Sequence, residues 1–421
     1  MPHPAHTPAR TIDEVRSRFP SLSVTDDGRP RIYLDNPAGT QVPADVIDRM
    51  SRYLARDNAN LGGDFPTARA SEHMVADAHA AMAAFVNARS DAEIVFGQNM
   101  TTLTFHISRS LGRLFSPGDE IIVTRMDHDA NIAPWLMLAE DRGLTIRWLD
   151  FDTERFEFDP AKLDALMSPK TKLLAVSYAS NVIGTINDVK AMAAKARAGG
   201  ALVYVDAVQY APHGLIDVQD IGCDFLVCSP YKFYGPHLGV LWGRAELLDE
   251  LVAYKVRAAS DRLPDKFETG TLSHESLAGL LGTVDYLTWY GSAAGQEQER
   301  RAALTAAYQA MQAHEADLTR RLIDGLRAMA PVRIQGIDDH NRLSRRVPTV
   351  SFTAGQHPPR ALAKHLADRN IFVWDGHNYA IELVGALGLL DKGGVLRIGM
   401  AHYNTAEEID RTLAAIGDVL R

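Results

Sequence analysis

Cysteine is nearly absent from this chain. Its 421 residues include only Cys223 and Cys228. Two thiols within one short segment give no disulfide framework, and no second Cys/His pair stands nearby to complete a tetrahedral zinc site. No metal is therefore expected, and the scarcity of thiols suits a reducing, cytoplasmic setting. Positive charge is also in deficit: 44 Lys and Arg face 53 Asp and Glu, a net charge of -9. Nucleic-acid binding usually needs a basic face, so that role is not expected. No run approaches the roughly 18 apolar residues of a membrane helix, and the opening MPHPAHTPAR lacks the apolar stretch of a secretory signal. Solenoid repeats and low-complexity tracts are missing as well. What is there is ordinary for a soluble globular protein: 46% hydrophobic and 23% charged residues. The length allows about two or three domains.

The middle of the chain alternates short apolar runs with helical stretches. Strands are predicted over 93–96, 120–124, 145–149, 172–178, 201–205, 223–228 and 239–242. These runs are continuously apolar, so both strand faces should be buried in a mostly parallel sheet covered by helices. That pattern predicts an α/β, doubly wound fold of seven strands. Helices are expected over 12–19, 44–56 and 71–87, the last with Ser71 as N-cap. From about 290 the texture changes. A long helix over 296–329 is followed by strand candidates at 349–352, 371–374 and 395–399 and a helix over 406–420. The expected organisation is an N-terminal segment (1–30) packing with a smaller C-terminal α+β domain (291–421), and a large domain (31–290) between them.

Ligands of open α/β sheets bind beyond the carboxyl ends of the strands. Three motifs stand at such ends. Asp206 closes the apolar run Val203-Tyr204-Val205. Lys232 follows the 223–228 strand within Ser229-Pro230-Tyr231-Lys232. Gly97-Gln98-Asn99-Met100-Thr101-Thr102 leaves a strand for a helix, where backbone N–H groups suit a phosphate. Each alone has an ordinary reading as a cap, a surface charge or a turn. Together they supply an amine, an anion and a phosphate cradle, the set that pyridoxal 5'-phosphate (PLP) requires.

Longer motifs carry a resemblance over nearly the whole chain. Tyr33-Leu34-Asp35-Asn36-Pro37-Ala38-Gly39-Thr40 is similar to a YLDNAATT-type segment. Asp127-His128-Asp129-Ala130-Asn131-Ile132-Ala133-Pro134-Trp135 is similar to EHHANIVPW, and Ser180-Asn181-Val182-Ile183-Gly184-Thr185 to SNVLGT. Phe267-Glu268-Thr269-Gly270-Thr271 matches FEAGT, and Arg397 with Tyr403-Asn404-Thr405 matches an R…YNT segment. The chain thus resembles fold-type I PLP enzymes of the class V aminotransferase group, nearest its cysteine desulfurase and selenocysteine lyase branch.

The resemblance implies the following roles. Lys232 would carry PLP as a Schiff base and move protons at Cα. Asp206 would face the pyridinium nitrogen, Gln209 the ring hydroxyl, and His128 the ring face. Asn181 would touch the ring hydroxyl or the substrate. Thr101, Met100, Ser229 and Tyr231 would hold the phosphate. Thr271 would reach the phosphate of a neighbouring subunit, implying a homodimer with shared sites. Arg397 would grip the α-carboxylate of an amino-acid substrate through a bidentate fork.

Three departures bear on the chemistry. Tyr379 stands where the branch carries its persulfide-forming cysteine, and a phenol cannot carry a persulfide. Tyr231 replaces a histidine before the lysine, while Trp374 replaces an arginine of the substrate loop. Trp374 and Tyr379 either line a pocket for a larger side chain or only pack their loop. The expected activity is a desulfurase-like lyase working by β-elimination without an enzyme persulfide. An aminotransferase or epimerase, and a catalytically idle PLP-fold binding protein, remain as alternatives.

Overall fold

The computed structural model describes residues 10–292 and 298–420. Seven strands form one sheet in the spatial order Ile94–Gly97, Gly239–Gly243, Phe225–Cys228, Leu202–Asp206, Thr171–Ser177, Glu120–Thr124 and Thr145–Leu149. Only Gly239–Gly243 runs against its neighbours. The other pairings are parallel.

The strands are apolar on both faces because each face meets its own core. Leu174, Val176, Val203, Val205, Leu226 and Cys228 point into one cluster. Their chain neighbours Leu173, Ala175, Tyr204, Phe225 and Val227 point into another. Successive side chains of a strand alternate in direction, so a run with no polar member is the signature of a sheet covered on both sides. A C-terminal domain holds an antiparallel sheet in the order Val332–Gln335, Thr349–Ala354, Val395–Gly399 and Trp374–Gly376. It packs around a separate cluster that includes Leu322, Phe352 and Ile398.

Several boundaries differ from the sequence reading. Ser71 is no N-cap: the helix spans Pro66–Val86, with Pro66 in its first turn, where the fixed φ of proline is preorganised. Ser71 is buried inside it and meets the Tyr53 hydroxyl at 3.0 Å. The expected 371–374 strand is two pieces. Ile371–Phe372 pairs with Ile32–Tyr33, whereas Trp374–Gly376 pairs with the strand that bears Arg397. The long helix spans Arg300–Arg327; the expected start at Gln296 lies outside the described residues. The N-terminal segment serves both parts. Val15, Phe19 and Leu22 join the large core, while the Arg29 carbonyl accepts from Asn370 Nδ2.

Candidate active site

The parallel strands end on a common edge, and there the predicted residues converge. A cavity of about 650 Å³ is lined by Met100, Thr101, His128, Asn181, Asp206, Gln209, Tyr231, Lys232, Trp374, Tyr379 and Arg397. Its size falls in the ordinary range for small-molecule sites, about 300–1,000 Å³. Two expected residues lie outside the lining. Ser229 is fully buried just behind it, where its Oγ accepts from the Met100 N–H at 3.3 Å. Thr271 lines a second cavity with Gln98, Thr102, His106 and His237.

The floor is built from strand ends. Asp206 is 5% exposed and ends the central strand. Its Oδ1 accepts from the Val208 N–H at 2.9 Å, and no salt bridge reaches it among the described residues. Burial pushes this carboxyl up to about 6, against the pull of the Val208 N–H and of Lys232. Lys232 lies in a single turn just beyond Phe225–Cys228. Burial, then the Arg397 charge, bring its amine down to about 7, while Asp35 and Asp206 oppose the shift. Its Nζ donates to the carbonyls of Pro37 and of Ala38, the latter at 3.0 Å. Beside it, the helix Met100–Gly112 opens with Asn99, whose side chain accepts from the Thr102 N–H at 2.9 Å. That cap fixes the first turn, whose N–H groups are free of intrahelical partners by construction.

His128 forms one wall. Burial, with the charges of Lys232 and Arg397, lowers its ring to about 4, so it is neutral at ordinary pH. Nδ1 accepts from the Ala130 N–H at 3.0 Å, which leaves the proton on Nε2. Just before it, Asp127 is fully buried and accepts from Thr124 Oγ1 and from Asn131 Nδ2. Burial raises that carboxyl to about 8. Nothing in the sequence reading singled out Asp127; a carboxylate beside an expected site histidine was the available signal. Gln209 is also 4% exposed and donates through Nε2 to Thr349 Oγ1 at 3.1 Å, a contact to the C-terminal sheet.

The rim comes from the C-terminal part. Gly376, Asn378 and Tyr379 have φ values of 108°, 51° and 57°. Two successive non-glycine residues in the left-handed region need outside support. The Asn378 carbonyl accepts from Asn181 Nδ2 at 2.8 Å, and the Tyr379 carbonyl accepts from the Asp129 N–H at 2.7 Å. The Tyr379 ring then stacks near His128, with centroids 5.5 Å apart and planes 25° apart. Tyr379 and Trp374 remain 68% and 54% exposed at the mouth. Arg397 is 3% exposed; Nη2 donates to Asp35 Oδ1 at 3.0 Å and Nη1 to the Asn181 carbonyl at 3.1 Å. The expected fork is therefore already engaged on both arms, and its unpartnered donor is Nε.

This donor set fits PLP. A buried carboxylate with no cation against it suits a protonated ring nitrogen. A lysine with a lowered pKa suits an aldehyde, and a capped helix start suits a phosphate. Asn181 Oδ1, Asn378 Oδ1 and Arg397 Nε, all on lining residues, are buried without a partner among the described residues. The cysteines contribute nothing to this cavity. Both are buried, and burial raises each thiol well above its usual range.

Residues 32–412 match the family described as aminotransferase class-V. A cysteine desulfurase of Pectobacterium atrosepticum is 34% identical, over 97% of this chain and 98% of its own length. The aminotransferase-like protein FGM3 of Gibberella zeae is also 34% identical, over 97% of this chain and 98% of its own. Among solved structures, a cysteine desulfurase from Thermococcus onnurineus superposes with a TM-score of 0.86 at 26% identity, covering 98% of each chain. The Escherichia coli cysteine desulfurase CsdA gives 0.84 at 26% identity, again covering 98% of each chain. The fold is thus that of the fold-type I PLP enzymes.

Proposed function

Because this chain belongs to the aminotransferase class-V family and is a cysteine desulfurase-like enzyme of it, we propose that it is a PLP-dependent lyase that cleaves the Cβ–S bond of an S-substituted amino acid without forming an enzyme persulfide. The observation that carries this reading is the pairing of an intact floor with an altered rim. Lys232, Asp206 and the Met100–Thr101 turn line the cavity, but the loop beside it presents Tyr379 and Trp374. Neither buried cysteine lines it.

PLP, when bound, supplies the electron sink that makes Cα–H acidic and lets a β-substituent leave. The chain's own groups do the rest. Lys232, neutral above about pH 7, takes the Cα proton. Asp206 holds the ring nitrogen protonated. His128, neutral and fixed by the Ala130 N–H, supports the ring face. Met100, Thr101 and Tyr231 would hold the phosphate, with the buried Ser229 bracing the Met100 N–H behind them, and Gln209 and Asn181 would meet the ring hydroxyl side. Arg397 binds the α-carboxylate. The balanced reaction is R–S–CH₂–CH(NH₃⁺)–COO⁻ plus water giving R–SH, pyruvate and ammonium, with no net redox change. Trp374 and Tyr379 face the R group. Thr271, away from the cavity of its own chain, completes the site of a second copy in a homodimer.

The test is product analysis of the holoenzyme with S-substituted cysteines. Pyruvate and ammonia in equal amounts, with the thiol released and no added sulfur mass on the protein, are expected. Amino transfer that needs a keto acid and releases no ammonia would replace the lyase with an aminotransferase. Exchange of the Cα hydrogen with racemisation alone would make it an epimerase. No turnover and no cofactor absorbance sensitive to Lys232→Ala would leave a binding protein.

A further inference from the structure

Arg397 is not an empty receptor waiting for a carboxylate. Its Nη2 already donates to a carboxylate of the same chain, Asp35 Oδ1, at 3.0 Å. The two side chains are 4% and 13% exposed, so water screens the pair little. Asp35 is locked to the strand that bears Arg397. It bridges to Gly399; the Gly399 N–H donates to the Leu34 carbonyl at 2.8 Å, and Asn36 Nδ2 donates to the Gly399 carbonyl at 2.8 Å. Within three residues the same segment reaches the amine of the site. The Pro37 and Ala38 carbonyls accept from Lys232 Nζ. One short strap thus holds both the guanidinium and the amine.

We propose that Asp35 is a positioning residue and an internal competitor for the substrate carboxylate at Arg397. The proposal rests on Arg397 being the α-carboxylate site. A buried guanidinium with no anion is costly, and Asp35 removes that cost while the site is empty. An entering α-carboxylate then meets a guanidinium whose charge is already balanced. It gains the unpartnered Nε and must share or displace the arm held by Asp35. The other ionisable groups acting on this pair are Tyr33 and Lys232. Neither supplies a second carboxylate, so the balance at Arg397 turns on Asp35. Asparagine keeps the shape and an acceptor oxygen at this position but removes the charge.

The experiment compares wild-type, Asp35→Asn and Arg397→Gln holoenzymes. Each is titrated with L-alanine and with L-alaninamide, read by the change in cofactor absorbance. Asp35→Asn is expected to bind L-alanine about tenfold tighter, the effect of one charge-assisted hydrogen bond, with the amide unchanged. In turnover its KM falls, and kcat falls too because a neutral amide oxygen holds the Arg397 guanidinium less firmly than the carboxylate does. Arg397→Gln is expected to lose the preference for acid over amide. If Asp35→Asn binds L-alanine no better while Arg397→Gln loses that preference, the competitor role is overturned and the Arg397 reading stands. If Arg397→Gln keeps the preference, both fall. Asp35→Ser repeats the test should the asparagine variant not fold. If neither variant yields folded holoenzyme, Asp35 is structural and the proposal is overturned.

Discussion

The floor and the rim of the cavity are built by different means. The floor is made of strand ends anchored in two apolar cores, and its key carboxylate is 5% exposed. The rim is a loop with left-handed residues, tied by hydrogen bonds to Asn181 and Asp129, and its two aromatics are more than half exposed. Close-packed strand ends hold a group to a fraction of an ångström, whereas a surface loop can change its side chains at little cost to the core. If the proposed function holds, the floor should carry the chemistry common to the family and the rim the choice of substrate.

That contrast can be broken most sharply at Lys232. Lys232→Ala should abolish the visible cofactor absorbance and lower turnover by at least about a thousandfold for every substrate. Substrate-dependent losses would mean that the floor also selects. The next effect is in pH. A lysine brought down to about 7 is neutral above that value, so uptake of PLP by the apoprotein should quicken about tenfold per unit as pH rises toward 7 and level off by about 8. A stopped-flow midpoint near the ordinary lysine value would contradict the burial that the floor imposes. At the rim, Trp374→Ala and Tyr379→Ala should each raise KM for bulky S-substituted cysteines by about tenfold while leaving cysteine itself nearly unchanged. Equal losses on both would reduce these rings to loop packing. The smallest effect is expected just before the strand that leads to the floor. Cys223→Ala should keep kcat within about twofold and cost roughly 1 kcal/mol or more of stability in a denaturant titration. Loss of sulfur release there, with the fold intact, would restore a role for a thiol.

The floor was legible in the sequence because its signals are local. Asp206 ends an apolar run, Lys232 follows another, and Asn99 caps a helix a few residues past a strand. Strand edges moved by only a residue or two, as at Ile94–Gly97 and Leu202–Asp206. The rim was legible only as an expected substitution, Tyr379 at the place where the resembled branch carries a cysteine. Its conformation depends on partners far along the chain, such as Asn181 and Asp129, which no local pattern announces. The same holds for the hold of Asp35 on Arg397, a contact between residues 362 positions apart. Ser71 misled for a related reason. As a small polar residue ahead of an Ala-rich stretch it suits an N-cap, but Pro66 starts the helix earlier, and the hydroxyl meets Tyr53 instead. The break at Val373 was hidden because both flanking pieces are strands, belonging to different sheets.

The strap from Asp35 to Ala38 also sets a schedule. Its partner strand Val395–Gly399 is made 360 or so residues later. At about 5–20 residues per second on the ribosome, the first residue of the pair waits roughly 20–70 s for the second. Until then Lys232 can lie beyond its finished strand with the Pro37 and Ala38 carbonyls in place but the guanidinium still to come. The two basic side chains that the strap holds are thus made at different moments in the life of a single chain, and the arginine comes last.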